Sequence, residues 1–465
     1  MNNSYVGQNV WKYSSNEDKK EIFSYCKEYI HFLNTVKTER EFLNYAIPVL
    51  EAAGYKNIET VLASGESLKA GDKVYQNIYE KSLLCAVIGS EKPENGFLLV
   101  GAHIDSPRLD FKQNPFYEDN ETVYAKTHYY GGIKKYQWLS IPLAIHGVVI
   151  TKEGETIQIV LGEDAEDPCF CISDLLPHLA QDQMKKTLAE AISGESLNII
   201  MSSMPSEDED AKAPFKQYFL SLLEEKYNVS EEDFISAEIE VVPAFPAKEV
   251  GLDRSIIGAY GHDDRVCSYT ALSAILEAGD VSKTSIAYFS DKEEVGSMGN
   301  TGAQSKALEN FMAYLCMLTS SNYSDFVLRR CISNSYMLSA DVTTGVDANF
   351  DVQDKKNAAY FSHGVAFEKY TGARGKSGAS DANPEFIAKL RKIFDDNQVF
   401  WQTGELGKVD LGGGGTIAQY MANMGLQVID CGVPVWGMHS PYELVSKADV
   451  YYTYKAYLAF YKFFK

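Results

Sequence analysis

The chain lacks an excess of positive charge and any long apolar run. Its 465 residues hold 43 Lys and Arg against 64 Asp and Glu, a net charge of −21. Nucleic acids and anionic membranes attract dense positive charge, so this balance argues against both as the main partner. No stretch approaches the ~18 consecutive apolar residues of a membrane span. The composition is compatible with a soluble enzyme or with a site that gathers metal cations.

Cysteine is also scarce. The eight cysteines include no CxxC pair, so we expect no structural zinc ribbon. The opening string MNNSYVGQNVWKYSS has neither a basic start nor an apolar run, so we expect no signal peptide. Together these features predict a reducing, cytoplasmic setting.

Short apolar strands alternate with amphipathic helices through most of the chain. Thr38 and Glu41 form a capping-box pattern that predicts the start of a second N-terminal helix. The string GFLLVGAHI shows too little alternation to face water, which favours a central strand. The alternation predicts an α/β fold with a mostly parallel sheet flanked by helices. The remaining strands that support this are EIEVVPA, SIAYFS, YMLSAD and LQVIDCG, and the helices are DRVCSYTALSAILEAG, GAQSKALENFMAYLC and ASDANPEFIAKLRKIFDDN.

One stretch of the chain has a different texture. Residues 111–244 are β-rich, with a TKEGET hairpin turn and a polar segment, SMPSEDEDAKAP, that we expect to be a flexible loop. We therefore predict a discontinuous α/β domain of residues 1–110 and 245–465, interrupted by an inserted β-rich domain of residues 111–244.

Five strings place metal-ligand residue types at the end of a predicted strand or the start of a helix. They are GAHIDSPRLD, GHDDRV, DKEEVGS, SADVTTG and MHSP. In open α/β sheets, that edge is where ligands bind. Each string alone has an ordinary structural explanation, such as a strand-end histidine oriented by a carboxylate, or acidic residues that cap a helix.

As a set, the five strings indicate metal chemistry. They supply two histidines and three carboxylates, with a spare glutamate beside one ligand, because the adjacent Glu293 and Glu294 cannot both face the same way. Mixed nitrogen and oxygen ligands suit zinc, and also cobalt or manganese. A bridging carboxylate with one histidine and one carboxylate per ion is the composition of a dinuclear catalytic site. The ligand candidates are His103, an aspartate of the Asp263–Asp264 pair, a glutamate of the Glu293–Glu294 pair, Asp341 and His439.

The sequence resembles the aspartyl aminopeptidase family of dinuclear zinc metallopeptidases. The strings that carry the resemblance run through most of the chain in the family's order. DKEEVGS and the DDR string are shared with glutamyl and tetrahedral aminopeptidases. The full set is GAHIDSPRLD, YYGGI with Trp138 downstream, HDDRVCSYTAL, DKEEVGS, LSAD and GMHSPYEL.

The resemblance implies a role for each ligand candidate. His103 and Asp341 would bind one metal ion, Glu294 and His439 would bind the other, and Asp263 would bridge them. The resemblance implies two divalent metal ions per subunit, and zinc is the metal that we expect.

The resemblance also implies catalytic roles and an assembly. Glu293 would be the general base, and Asp105 would support His103. The inserted domain would mediate dimerisation, and dimers would build a homo-oligomeric dodecamer. His178 in CISDLLPHLAQ would contact substrate in a neighbouring subunit or lie near the metals, or else be a histidine on a helix surface.

The substrates implied are peptides with a free N-terminus, with a preference for acidic N-terminal residues. At Leu139–Ile141, Thr344 and Asp347 this chain differs from the animal members of the family. A strict preference for acidic residues therefore does not follow from the resemblance. An acidic side chain needs a cation, and the nearest candidates are Lys369, Arg374 and Lys376, which would otherwise form a solvated basic loop. Gly413, in the glycine run, permits close approach of a peptide, or forms an ordinary turn.

Two other functions remain open from the sequence. The same metal chemistry would serve a deacylase or a carboxypeptidase. A non-catalytic oligomeric shell protein with a vestigial site is the second alternative.

Overall fold

The computed structural model describes residues 7–208 and 210–465, so Glu209 of the predicted polar loop lies outside the described residues. The chain divides into two compact units. The first comprises Met1–Asp105, Ala247–Met438 and Glu443–Lys465, and the second comprises Ser106–Pro246 and His439–Tyr442. No helix in the described ranges is long and apolar enough to span a bilayer.

The first unit is built on a nine-stranded, mostly parallel sheet, as the alternating pattern predicts. Its order is β1-β2-β3-β13-β4-β14-β18-β16-β17. The central strand β4 is buried along its whole length and pairs in parallel with β13 and β14. These strands are β1 (Lys56–Asn57), β2 (Lys73–Ile78), β3 (Ser82–Val87), β13 (Ser285–Ser290), β4 (Leu98–His103), β14 (Tyr336–Ser339), β18 (Gln427–Gly432), β16 (Val365–Glu368) and β17 (Trp401–Thr403).

Helices cover both faces of this sheet because its strands alternate between two hydrophobic cores. Along β4, Leu98 and Val100 belong to one core and Leu99 belongs to the other. The capping box at Thr38 and Glu41 forms as the sequence predicts. The helices of this unit are α1 (Val10–Tyr13), α2 (Asn16–Thr35), α3 (Glu39–Ala52), α4 (Ile58–Ser64), α7 (His262–Leu276), α8 (Ala307–Thr319), α9 (Asp325–Ser333), α10 (Pro384–Asp396), α11 (Ala418–Met424) and α12 (Lys447–Phe463).

Two predicted helices begin later than their strings suggest. In α8, the Ser305 hydroxyl accepts a hydrogen bond from the N–H of Ala307, so Gly302–Lys306 precede the helix. In α10, Pro384 occupies the first turn, and the residue before a proline is disfavoured in a helical conformation. A second sheet of this unit, in the order β11-β12-β20-β19-β15, contains β11 (Lys248–Val250), β12 (Ile256–Ala259), β20 (Glu443–Ser446), β19 (Pro434–Trp436) and β15 (Thr343–Thr344).

The second unit is built on a six-stranded sheet in the order β8-β7-β10-β5-β6-β9. Among the described residues all of its strand pairs are antiparallel, including the hairpin of β7 and β8 around the TKEGET turn. The string EIEVVPA was wrongly predicted to support the parallel sheet, because it forms β10 of this antiparallel sheet. The strands are β5 (Arg108–Asp119), β6 (Thr122–Tyr130), β7 (Leu143–Ile150), β8 (Thr156–Leu161), β9 (Ile199–Ser202) and β10 (Ala237–Pro243), with helices α5 (Leu188–Ala191) and α6 (Pro214–Tyr227).

Candidate metal centre and active site

Parallel strands bring most of the predicted ligands of the first unit to one edge of the nine-stranded sheet. His103 is the last residue of β4, and Asp341 follows the neighbouring strand β14 by two residues. Glu293 and Glu294 follow β13 and lie on a short 3-10 helix, Glu293–Val295. Because β13, β4 and β14 are parallel neighbours, their carboxyl ends meet at the same place.

The helix that follows β12 supplies the remaining carboxylate. Asp263 and Asp264 lie at the start of α7, where their backbone dihedral angles are non-helical. The N–H of Asp263 donates a hydrogen bond to Oε2 of Glu443 at 3.0 Å. The N–H of His103 donates to Oδ2 of the buried Asp264 at 3.3 Å. These contacts fix the start of α7 against the end of β4.

The structure brings His103, Asp263 and Asp341 together. One ligand atom from each lies within 4.8 Å of the others, and one carboxylate oxygen of Glu294 lies within the same distance of Asp263. Nε2 of His103 is 3.1 Å from Oδ1 of Asp263 and 3.8 Å from Oδ1 of Asp341. His103 is 1% exposed and Asp263 is 3% exposed. The group is therefore shielded from water.

Hydrogen bonds select which ring nitrogen each histidine offers. Nδ1 of His103 lies 2.9 Å from the backbone oxygen of Asp105, which only accepts hydrogen bonds. Nδ1 therefore carries the proton, and Nε2 faces the carboxylates as a ligand atom. In the second unit, Nδ1 of His439 lies 2.9 Å from the backbone oxygen of Gly132 in the YYGGI string. By the same argument, His439 also presents Nε2.

Asp105 links the histidine to the two glutamates. Its Oδ1 accepts a hydrogen bond from the N–H of Glu293 at 3.0 Å, and its Oδ2 accepts one from the N–H of Glu294 at 3.1 Å. Oδ1 also lies 3.3 Å from Nδ1 of His103. One buried carboxylate thus sets the positions of a ligand candidate and of the base candidate.

The electrostatics of this group favour a bound cation. Burial, with further contributions from Asp341 and Asp105, raises the pKa of Glu293 to about 8. Burial also raises the pKa of Asp341 above its ordinary value. Burial opposes protonation of His103, but hydrogen bonds to Asp105, Asp263 and Asp341 raise its pKa well above the ordinary value. Crowded carboxylates with a histidine nitrogen among them are a donor set that suits a divalent metal ion.

The other predicted site residues lie elsewhere. His178 is exposed in the second unit and lies in a turn, so a position on a helix surface is wrong. Lys369 and Lys376 are exposed and both pair with Asp381. Arg374 is exposed as well, and its N–H donates to the backbone oxygen of Val409 at 3.2 Å.

Gly413 makes a close approach to another loop of the same chain. A Cβ atom at this position would lie 2.0 Å from the backbone oxygen of Gly372, and its φ is +144°. The glycine run therefore packs against the loop that carries Arg374.

Sequence reasoning assigned no role to several residues that shape this edge of the sheet. Glu443 holds the backbone of Asp263, and the hydroxyl of Ser268 donates to the backbone oxygen of His103 at 2.6 Å. Glu368 and Asp430 are buried acidic residues within apolar strands. The sequence did contain a signal for them, since Glu368 in VAFE and Asp430 in VIDC are acidic residues in otherwise apolar strings, where burial of a charge is costly.

Known proteins are similar to this chain in sequence and in fold. Residues 32–461 match the family described as aminopeptidase I zinc metalloprotease (M18). A probable M18 family aminopeptidase 1 from Clostridium acetobutylicum is 50% identical over 454 residues, 97% of each chain. The crystal structure of an M18 family aminopeptidase from Thermotoga maritima is 44% identical, with a TM-score of 0.94 over 99% of this chain and 100% of that one.

More distant relatives extend the likeness. The aspartyl aminopeptidase of Caenorhabditis elegans is 26% identical over 463 residues, 95% of this chain and 96% of that protein. The mApe1 dodecamer of S. cerevisiae shares the fold, with a TM-score of 0.75, 20% identity and coverage of 93% and 95%. The chain belongs to the M18 family of zinc metalloproteases and is a metalloaminopeptidase.

Proposed function

We propose that this enzyme removes the N-terminal residue from peptides by hydrolysis at a dinuclear metal site. The observation that carries the proposal is the group of the buried His103 and Asp263 with the partly buried Asp341, whose ligand atoms lie within 4.8 Å of one another. Such a cluster of nitrogen and oxygen donors at the carboxyl edge of a parallel sheet is typical of a metal site that performs hydrolysis.

Each proposed ion has its own ligands. His103 and Asp341 would hold one ion, Glu294 and His439 would hold the other, and Asp263 would bridge them. Zinc is the first candidate because it takes histidine and carboxylate ligands and the family is a zinc metalloprotease family. When bound, the two ions would supply a water of lowered pKa, polarise the scissile carbonyl and accept the free amine of the substrate.

The protein's own residues would move the protons. Glu293 would accept a proton from the attacking water and then donate it to the leaving amine. Asp105 would keep Glu293 in place through the backbone hydrogen bond of 3.0 Å, and would keep His103 in the tautomer that offers Nε2.

An acidic N-terminal preference is the finer prediction that the resemblance implies. The name of the Caenorhabditis elegans relative supports it. Two of the three cations named for that task are already engaged, because Lys369 and Lys376 both pair with Asp381, and the third, Arg374, is exposed. We therefore propose aminopeptidase activity without a requirement for Asp or Glu.

We further propose a homo-oligomer built from dimers and a cytoplasmic location. The segment around His178 exposes large apolar side chains that suit a contact between subunits: Leu175 (46%), Leu176 (49%), Leu179 (69%), Met184 (68%) and Leu188 (57%). The dodecamer of the S. cerevisiae relative supports a large assembly. All eight cysteines are free, which supports a reducing compartment.

The test of the activity is a panel of aminoacyl fluorogenic substrates with an N-acetylated control. The protein is first treated with a chelator and then supplied with zinc, cobalt or manganese. We expect metal-restored cleavage of the unblocked substrates only. Equal release of the fluorophore from the acetylated control would instead show that the enzyme needs no free amine, which would contradict an aminopeptidase.

A further inference from the structure

Two buried carboxylates face each other outside the proposed metal ligands. Glu368 at the end of β16 lies directly opposite Asp430 of β18 in the antiparallel register. Glu368 is 4% exposed and Asp430 is 3% exposed. Burying two acidic side chains side by side is costly unless a cation or protons compensate them.

This pair lies next to the proposed metal ligand Asp341. Ser339, two residues before Asp341, pairs with Asp430 in the parallel register of β14 and β18. The hydroxyl of Thr343, two residues after Asp341, donates a hydrogen bond to Oε1 of Glu368. The chain segment that carries Asp341 therefore contacts the pair on both sides.

Within residues 7–208 and 210–465, no cationic side chain compensates the pair. Neither Glu368 nor Asp430 forms an ion pair with a Lys, Arg or His side chain within these ranges. Oδ1 of Asp430 accepts from the hydroxyl of Thr416 at 2.6 Å, and the hydroxyl of Ser339 lies near the same carboxyl group, whereas the buried Oδ2 has no hydrogen-bond partner among the described residues. Burial raises the pKa of Glu368 to about 8 and that of Asp430 to about 7.

The surroundings suit an organic cation better than a third metal ion. The hydroxyls of Thr343 and Thr416 donate hydrogen bonds to Glu368 and Asp430, so each carboxylate has one oxygen already engaged. A metal ion needs at least about four ligand atoms, whereas an ammonium or guanidinium group donates hydrogen bonds to the oxygens that remain. The run Gly412–Gly415, which leads into Thr416, is partly exposed and carries no side chains.

We propose that Glu368 and Asp430 bind the cationic side chain of an N-terminal Lys or Arg residue of the substrate. This inference rests on the proposed aminopeptidase function and names its substrate class. The side chain of the first residue would extend past Asp341 and end between the two carboxylates. The enzyme would then favour basic N-terminal residues over acidic ones.

The test compares kcat/KM for lysyl, arginyl, norleucyl, aspartyl and glutamyl fluorogenic amides. Norleucine matches the lysine side chain in its methylene groups but has no charge. We expect the wild-type enzyme to prefer lysyl over norleucyl substrate by about ten-fold or more, since a hydrogen bond to a charged group contributes roughly that factor. In Glu368→Gln and Asp430→Asn, this ratio should fall towards one while norleucyl cleavage is retained.

The control is Glu385→Gln, which removes an exposed carboxylate of α10 and should leave the ratio unchanged. A wild-type preference for aspartyl, glutamyl or norleucyl substrate would overturn the inference without any variant having to fold. An equal loss on every substrate in Glu368→Gln would also overturn it, because it indicates a structural role. Three metal ions per chain in the wild type, with only two in Asp430→Asn, would show a metal site instead. Cleavage of no unblocked substrate would contradict the proposed function itself.

Discussion

Asp105 accepts a hydrogen bond from the backbone N–H of Glu293, with 3.0 Å between the carboxylate oxygen and the nitrogen. The same oxygen lies 3.3 Å from Nδ1 of His103. The position of the proposed base therefore depends on the carboxylate that also orients a proposed metal ligand. A change at Asp105 should disturb both without removing either.

The first prediction concerns this link. Asp105→Asn replaces one of the two acceptor oxygens by an amide NH₂ group. The Asn side chain can therefore no longer accept one hydrogen bond on each oxygen from the backbone N–H groups of Glu293 and Glu294. We expect kcat/KM to fall by about 10–100-fold, the usual effect of changing a residue that orients a metal ligand. Steady-state kinetics and metal content, measured beside Asp396→Asn on the exposed end of α10, would check this. Wild-type activity in Asp105→Asn would refute the positioning role.

The second prediction separates the base from the ligands. Glu293→Gln keeps the size of the side chain but cannot take a proton from water. We expect turnover to fall by at least about 100-fold, the lower end of the contribution of general base catalysis. Metal content, measured by mass spectrometry of the purified variant, should stay near the wild-type value. A variant that instead loses metal would reassign Glu293 as a ligand.

The third prediction concerns metal stoichiometry. We expect two ions per chain in the wild type and loss of metal from His103→Ala, because its buried Nε2 faces Asp263 and Asp341. In His439→Ala, one ion should be lost preferentially. His31→Gln, on the exposed face of α2, is the control and should retain both ions. Equal metal content in all four proteins would argue against the assigned ligands.

Much of the fold was predictable because local signals were strong. The apolar string ending at His103 is the central strand, and the capping box at Thr38 starts α3 as expected. His103, Glu294 and Asp341 share an edge because the strands that lead to them are parallel neighbours. Spacing along the sequence was enough to propose that edge.

Contacts that depend on strand register were not predictable. Glu368 and Asp430 are far apart in the sequence, and only the antiparallel pairing of β16 with β18 places them opposite each other. The hydrogen bond from Asp263 to Glu443 likewise joins two distant segments. The specificity proposed above rests on such contacts, so the sequence alone pointed to the basic loop instead.

The fourth prediction concerns a glycine that lets β18 approach Asp341. A Cβ atom on Gly432 would lie 1.7 Å from the backbone oxygen of Asp341 and 2.6 Å from its carbonyl carbon. In Gly432→Ala the backbone of Asp341 must therefore shift. We expect the free energy of unfolding to fall by about 1–3 kcal/mol, the usual cost of overpacking.

The same shift should lower metal content, because it moves a proposed ligand away from His103. Gly375→Ala is the matched control, since a Cβ atom there meets no heavy atom within 4 Å. Urea unfolding of the metal-free proteins would give the stability difference, and metal titration would give the affinity. Equal metal affinity in Gly432→Ala and Gly375→Ala would contradict this prediction. It would show that metal binding does not depend on the backbone position of Asp341.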